Sequence, residues 1–476
     1  MEQASESKVW SKKNIIALGI AIFLAVAISF LNVSWPWFIA LGLLVFSVIV
    51  IFILKQPFIG VLIIALSLPF ERIGAYEFGE TTIRISQIIL VITMIAWFIN
   101  LFLKNTFKLA KNPLLPLLAV FAVINIISLP GSLNLGRSVI VLAFIIFTMT
   151  FSFIVPNLVN TPAKVKKLIM FLLLGFFVVS IFGLWQFLAD MSGLPIEVTG
   201  LRDLYTKDIL GFTRVQSTAY EPLYFANYLL IPLGILFALF LSGKGEMKST
   251  WVILLFGLGI VNFILTVSRG GYIAIAVTLA VVGAFYFRKL FSLQNILIFL
   301  IAIVIVGWVA VQALGVGGEL FTLEKFQEHI GNAFYGASYD ERVETISSAM
   351  TMWQESPLVG SGPGSFGPYM ANHPFYVPTD GWRIVNNEFI EILAENGIIG
   401  LFIFILIILL AVIRSFKAIL RTKDFYLKAI LIGLLGAFIG VLAQYQTFST
   451  LYIVHVWFLI GLIVAIQNII LLPKND

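Results

Sequence analysis

Fourteen apolar stretches recur along this 476-residue chain, most of them near the roughly 20 residues that an α-helix needs to cross a bilayer. They fall at about 14–32, 36–54, 57–70, 86–103, 114–130, 138–156, 168–189, 223–242, 251–267, 271–287, 294–313, 390–413, 428–447 and 450–471. Only 11% of the residues are charged and 60% are hydrophobic, whereas an ordinary soluble domain carries about 25% charged residues. Such a chain cannot hide its apolar side chains behind a water-facing surface, so lipid must be the solvent. The expected fold is all-α, a polytopic transmembrane helical bundle of about 12–14 spans. Four regions follow: N-terminal transmembrane helices at 1–189, transmembrane helices carrying Arg214 and Arg269 at 190–313, a large extracytoplasmic loop at 314–389, and C-terminal transmembrane helices at 390–476. No small-residue cleavage site follows the first apolar run, so Ile15–Leu31 is read as a retained helix rather than a signal peptide.

Loop charge sets the expected sidedness. With the N-terminus in the cytoplasm, 20 of the 30 Lys and Arg residues fall on the cytoplasmic side and 10 outside, as the positive-inside rule requires. The short run at 57–70 must cross for this alternation to hold, and an even number of spans places both termini in the cytoplasm. The net charge of +6 is therefore spread between spans as loop anchors, not gathered into a nucleic-acid-binding patch. Every cytoplasmic loop is short and no phosphate loop of the G-x-x-x-x-G-K-[ST] type occurs, which excludes an ATP-driven pump. The absence of cysteine excludes disulfides, thiolate metal sites and a cysteine nucleophile.

The segment 314–389 is too long for a simple connector. Val343, Ile346, Met350 and Trp353 share one helical face, Ser338 and Glu341 have the spacing of a capping box, and Gly360-Ser361-Gly362-Pro363-Gly364 ends the pattern. These features predict a small helical lid over the outer face.

The candidate chemistry lies at outer helix ends. Arg269, in Thr266-Val267-Ser268-Arg269-Gly270-Gly271, sits in a junction too short to be a free loop. It either snorkels to lipid headgroups or clamps a phosphate, for which the planar guanidinium fork is suited. Arg214 precedes a helix entry at Glu221-Pro222. Glu388, Glu391 and Glu395 share a helix face where the long loop re-enters the membrane; Glu388 suits a helix start, and Glu395, deeper, needs a partner or a role. The histidines His329, His373 and His455 make no metal-ligand spacing, and His455, within the last span, is read as a core hydrogen-bonding residue.

Taken in order, four segments resemble the O-antigen ligase/polymerase superfamily of membrane glycosyltransferases. They are Arg214-x₇-Pro222-x₃-Ala226; the Thr-x-Ser-Arg-Gly junction at Arg269; Arg342 with the segment Pro357–Gly364; and Asn386-Asn387-Glu388 running through Glu395-Asn396-Gly397 to Gly400. The match covers about residues 200–413. The resemblance implies a GT-C-like helical enzyme that needs no metal or other cofactor. Such an enzyme moves a glycan from an undecaprenyl-diphosphate carrier to a glycan, lipid or protein acceptor hydroxyl outside the cytoplasm. Arg214 and Arg269 match the family's essential arginine pair, and Arg342, Asn386, Asn387 and His373 are the expected substrate-binding residues. Ligases of the family carry a histidine where Asn386 stands, a departure that favours a polymerase or another branch. The base is then sought among Glu221, Glu388 and His373, in that order. The rival class is a secondary transporter or lipid-linked glycan flippase, which would show paired repeats and broken helices at the midplane.

Overall fold

The computed structural model describes residues 37–70, 76–78, 81–103, 109–202, 213–243, 245, 247–295, 337–371, 373–375, 381–449 and 451–472. The expected first span at 14–32 lies outside the described residues, and the run at 294–313 is described only as far as Asn295. The remaining apolar runs are all helical: α1 Trp37–Lys55, α2 Phe58–Ser67, α3 Ile85–Leu103, α4 Leu115–Ser128, α5 Leu135–Met149, α6 Phe151–Leu158, α7 Pro162–Met191, α8 Pro222–Ser242, α9 Ser249–Leu265 and α10 Arg269–Phe285. After the lid helix α11, Ala337–Glu355, come α12 Glu388–Arg421, α13 Phe425–Gln444 and α14 Val454–Leu471.

Among the described residues seven helices are long and apolar enough to cross a membrane, counting α5 and α6 as one run from Leu135 to Leu158. Five further apolar helices are shorter, of which α9 and α10 have 17 residues each, the lower end of the spanning range. Outward-facing side chains such as Met170 (60% exposed) and Phe402 (58% exposed) are apolar, as a lipid-facing surface demands. The protein is a multi-pass membrane protein. A feature without a sequence signal is a two-stranded antiparallel ribbon, Tyr76–Phe78 with Thr81–Ile83, in which Tyr76 pairs with Ile83.

The chain forms two compact units, Met1–Ile64 with Gln87–Lys108, and Ala65–Ser86 with Leu109–Asp476. In the first, Gly60 lies directly on the Thr93 side chain, and Asn100 Nδ2 donates to the Leu54 carbonyl at 2.9 Å. Thr93 satisfies its own hydroxyl by donating to Ile89 O.

The second unit is built around α8, α10 and α13, which small residues bring close together. A Cβ on Gly433 would lie 2.6 Å from the Gly234 carbonyl oxygen, and one on Gly436 would lie 3.0 Å from Thr278 O. Close backbone approach replaces the hydrophobic drive that helices lack in lipid. A buried polar chain ties the same elements to α14: His455 Nε2 meets Asn227 Oδ1 at 2.6 Å, and Asn227 Nδ2 donates to Gln444 Oε1 at 2.8 Å. His455 is thus a satisfied core residue, as its position in the sequence suggested.

Residues 337–389 do contain a helix, and it packs on the start of α12. Its buried stripe is Thr345, Ala349 and Met352, whereas Val343 is 49% exposed. Of the expected face Val343, Ile346, Met350 and Trp353, Ile346 packs against a small core and Val343 is exposed. The deepest contacts are made by Thr345, Ala349 and Met352; the Thr345 hydroxyl donates to Val385 O at 3.0 Å. Ala349, Met352, Phe366, Val385 and Ala394 form a small core of their own. The described part of the helix starts at Ala337, and the Ser338 side chain on which the expected capping box depends lies outside the described residues.

Candidate active site

α12 breaks at Gly397, whose φ of 67° and ψ of −175° are not helical. Such a break inside a membrane must be repaired by protein groups, and the glycine-rich segment supplies them. Ser361 N and Gly362 N donate to the carbonyls of Ala394 (3.2 Å) and Glu395 (2.8 Å), while Ile398 N and Ile399 N donate to Pro357 O (2.9 Å) and Leu358 O (3.3 Å). The Glu395 carboxylate accepts from Gly364 N at 2.8 Å and Phe366 N at 3.1 Å. Glu391 accepts from Val385 N at 3.0 Å. Both acids hold the lid to the bundle. Arg137, which the sequence did not single out, joins them: its Nε donates to Gly364 O at 3.0 Å and its guanidinium lies 4.8 Å from the Trp382 ring centre.

The arginines are brought together by a different junction. Val215 N donates to Leu265 O at 3.0 Å, pinning the 213–216 segment to the end of α9. Arg214 Nε then donates to Thr266 O at 3.0 Å. Three residues later Arg269 opens α10, where Ser268 caps the helix by accepting from Gly271 N. The two glycines after Arg269 are required by proximity: a side chain on Gly270 would run into Thr447, and a Cβ on Gly271 would lie 3.1 Å from Ala226 Cβ.

The three arginines lie within electrostatic range of one another through Arg269. Burial lowers the Arg214 pKa from its ordinary value, Glu221 and Tyr272 oppose that shift, and Arg269 adds to it. Burial likewise lowers the Arg342 pKa, reinforced by Arg269 and opposed by Glu341. Arg269 therefore acts on both of the other arginines. Guanidinium groups stay protonated at neutral pH, so several positive charges are held in mutual range with Glu221 as the acid nearest Arg214 in effect. A fixed group of cations beside a helix N-terminus suits a multiply charged anion.

The backbone around these residues is strained. Among the described residues the non-glycine positions with positive φ are Ser217 (48°), Tyr220 (56°), Val267 (47°) and Asn386 (60°). All fall in the motif segments, and a β-branched residue such as Val267 is a genuine outlier there. Strain of this kind persists where the surroundings over-determine it. Gln186 Oε1 accepts from Ser217 N at 2.7 Å, Ser217 Oγ donates to Val179 O at 2.7 Å, and Thr218 Oγ1 donates to Pro69 O at 2.5 Å. Gln186 and Tyr272 were not singled out from sequence, although Tyr272 stands three residues after Arg269, one helical turn on.

The fourth motif reaches the same neighbourhood through the turn after α13. Glu388 N donates to Tyr445 O at 2.9 Å, and Asn387 Nδ2 donates to Gln446 Oε1 at 3.3 Å; Thr447, next in line, is the residue on which Gly270 rests. Asn386 takes the left-handed conformation that asparagine tolerates better than most residues. Asn387 caps α12 by accepting from Phe389 N and Ile390 N, so its side chain is engaged within the protein. Glu388 is buried, at 2% exposure, and lines a cavity of about 30 Å³ with Arg137, Glu391 and Glu395. His373 is exposed on a turn of the lid, and no described contact joins it to the arginines. Among the described residues no group of three His, Asp or Glu is arranged to hold a metal ion.

The fold is that of a polytopic membrane protein, and its motif segments bring Arg214, Arg269 and Arg342 within electrostatic range. Residues 253–405 match the O-antigen ligase family model, which supports the O-antigen ligase superfamily for this chain and a glycosyltransferase-type activity in general. The matched segment contains Arg269, Arg342 and the Asn386–Glu388 motif, while Arg214 and Glu221 precede it. No curated protein matches the chain.

Proposed function

We propose that the protein transfers a glycan from an undecaprenyl-diphosphate carrier to an acceptor hydroxyl at the outer face of the membrane, acting as a polysaccharide polymerase. The observation that carries the reading is the 3.0 Å hydrogen bond from Arg214 Nε to Thr266 O, which ties Arg214 to the turn that opens α10 at Arg269; Arg342 lies within electrostatic range of Arg269. Arg214 and Arg269 bind the donor diphosphate, and Arg342 adds a third cation from the lid side. The acceptor oxygen attacks the anomeric carbon, the bond from that carbon to the carrier phosphate breaks, and the diphosphate leaves with the electron pair. Its added charge is met by fixed guanidinium groups, which need little reorganisation as the reaction proceeds. The Glu221 carboxylate takes the acceptor proton; Glu388, more deeply buried, is the second choice. Asn387 and the positive φ of Asn386 fix the loop that faces the cluster, so Asn386 orients substrate where ligases carry histidine.

The test is to incubate the purified protein with an undecaprenyl-diphosphate-linked oligosaccharide and follow free undecaprenyl diphosphate together with chain length. Carrier release with longer chains is expected. Movement of intact donor across vesicles without carrier release would instead support a flippase and overturn the reading.

A further inference from the structure

We propose that a groove at the end of the bundle opposite the arginine cluster binds an anionic phospholipid of the cell membrane. Three helices fix the two ends. On α7, Gln186 holds the strained turn near Arg214 while Lys166 and Lys167 stand at the other end. On α8, Glu221 precedes the first residue and Leu239 lies near the last; α9 begins beside Trp251 and ends at Leu265, next to Thr266. From Pro222 to Leu239 the helix rises roughly 25 Å at 1.5 Å per residue.

The groove has a volume of about 660 Å³, within the roughly 300–1,000 Å³ of small-molecule sites. Its walls are apolar, including Ile169, Leu173, Phe177, Leu239 and Leu255, and its rim carries Lys166, Lys167, Trp251 and Tyr426. Leu174 and Trp251, at 49% and 58% exposure, open it toward lipid rather than toward the core. An acyl chain is the occupant that such walls accept.

The rim selects the headgroup. Lys164, Lys166 and Lys167 all lie in the first two turns of α7, whose N-terminus already carries the positive end of the helix dipole, so cations there are disfavoured. Lys164 is turned to the Leu158 carbonyl (2.8 Å) and Asn160 Oδ1 (2.9 Å), while Lys166 and Lys167 line the groove. No acidic residue is among the described residues that line it. A phosphodiester there would complement the positive end of the helix dipole. Trp251 and Tyr426 mark the depth of the headgroup layer, where these residue types collect, and the Lys166 ammonium stands 5.6 Å from the Tyr426 ring centre. Walls, charge and aromatic rim thus point to one lipid, its chain in the groove and its phosphate on the lysine pair. The distribution of basic residues assigns this end to the cytoplasmic leaflet, where anionic lipids attract lysine.

The experiment uses the full-length protein in a nonionic detergent. It is titrated with phosphatidylglycerol or with phosphatidylcholine of the same acyl chains, and retained lipid is counted by native mass spectrometry. Wild type is expected to retain phosphatidylglycerol roughly tenfold better, since each lysine near an anionic surface contributes measurably. The double variant Lys166→Gln/Lys167→Gln should lose that preference. Leu174→Trp, which keeps both charges but fills the groove, should lower retention of phosphatidylglycerol as well. Equal retention of the two lipids by wild type, or an undiminished preference in the lysine double variant, would overturn the proposal. Nothing in it depends on glycan transfer, so a protein inactive on lipid-linked oligosaccharide still provides the test.

Discussion

The Arg214 guanidinium donates through Nε to the carbonyl oxygen of Thr266 at 3.0 Å. One arginine is therefore held by the backbone of the turn that presents the other. The contact uses a single guanidinium nitrogen, Nε. Each arginine is expected to matter, and their effects should not simply add, because residues sharing a network couple.

Replacing Arg214 or Arg269 by Ala should lower turnover on lipid-linked oligosaccharide by about 10²–10³-fold, the range for losing one transition-state donor. Lysine should rescue only in part, as a point charge cannot reproduce the fork. Thermal melting in detergent should change little for Arg269→Ala, which sits at a half-exposed helix start. Near-normal transfer by both Ala variants would remove the phosphate clamp.

Glu221 lies within electrostatic reach of Arg214, and a base and a mere ion-pair partner predict different outcomes for Glu221→Gln. As the base, the variant should lose roughly 10²-fold or more in turnover with donor affinity close to wild type. If donor affinity fell as far as turnover did, Glu221 would be a structural partner of the arginines and the base would be sought at Glu388.

For Glu395 the expectation is stability, not chemistry. Glu395→Ala leaves the amides of Gly364 and Phe366 without their acceptor, at a cost of about 1–3 kcal/mol for each buried group left unpaired. Glu395→Gln keeps an acceptor oxygen and should melt between the two. A Gln variant that folds as wild type but is catalytically dead would return Glu395 to the active site.

Gly397→Ala combines a backbone conformation that is essentially glycine's alone with a Cβ that would collide with the Leu358 carbonyl. The strained conformation by itself costs on the order of 1–3 kcal/mol, and the collision adds to it. The melting temperature should fall sharply; an unchanged melt would mean that α12 is not broken at this point.

Sidedness can be read with single cysteines, since the natural chain has none. Phe375→Cys, at a position 79% exposed on the lid, should react with an impermeant maleimide added outside intact cells. Lys423→Cys, between α12 and α13, should react only after the cells are opened. The reverse pattern would invert the topology.

Much of this architecture was legible because lipid imposes a simple code: apolar runs became helices nearly where they were read, and the arginine motifs converged on one end. Other features were not, for identifiable reasons. The lid helix docks through Thr345 and Ala349 because closeness, not size, wins where a helix lies on a loop, and a search for large apolar residues looks past both. Asn387 was read as substrate-binding and Glu395 as needing a partner or a role; the side chains of both satisfy backbone amides, a demand invisible in the sequence alone. The ribbon at Tyr76–Ile83 is too short for any periodicity to announce it. Gln186 became important only when the fold set it against Ser217, 31 residues away.

The glycine-rich segment 357–362 and the broken helix α12 share four backbone hydrogen bonds across the break. Mechanically they are one strut made from two strands of the sequence. The lid cannot swing up as a hinged cover without unmaking a helix that crosses the membrane, and bonds in so apolar a setting resist that. It behaves as a fixed jamb. If the protein handles a lipid-linked chain as proposed above, that chain reaches the site past a rim of fixed height.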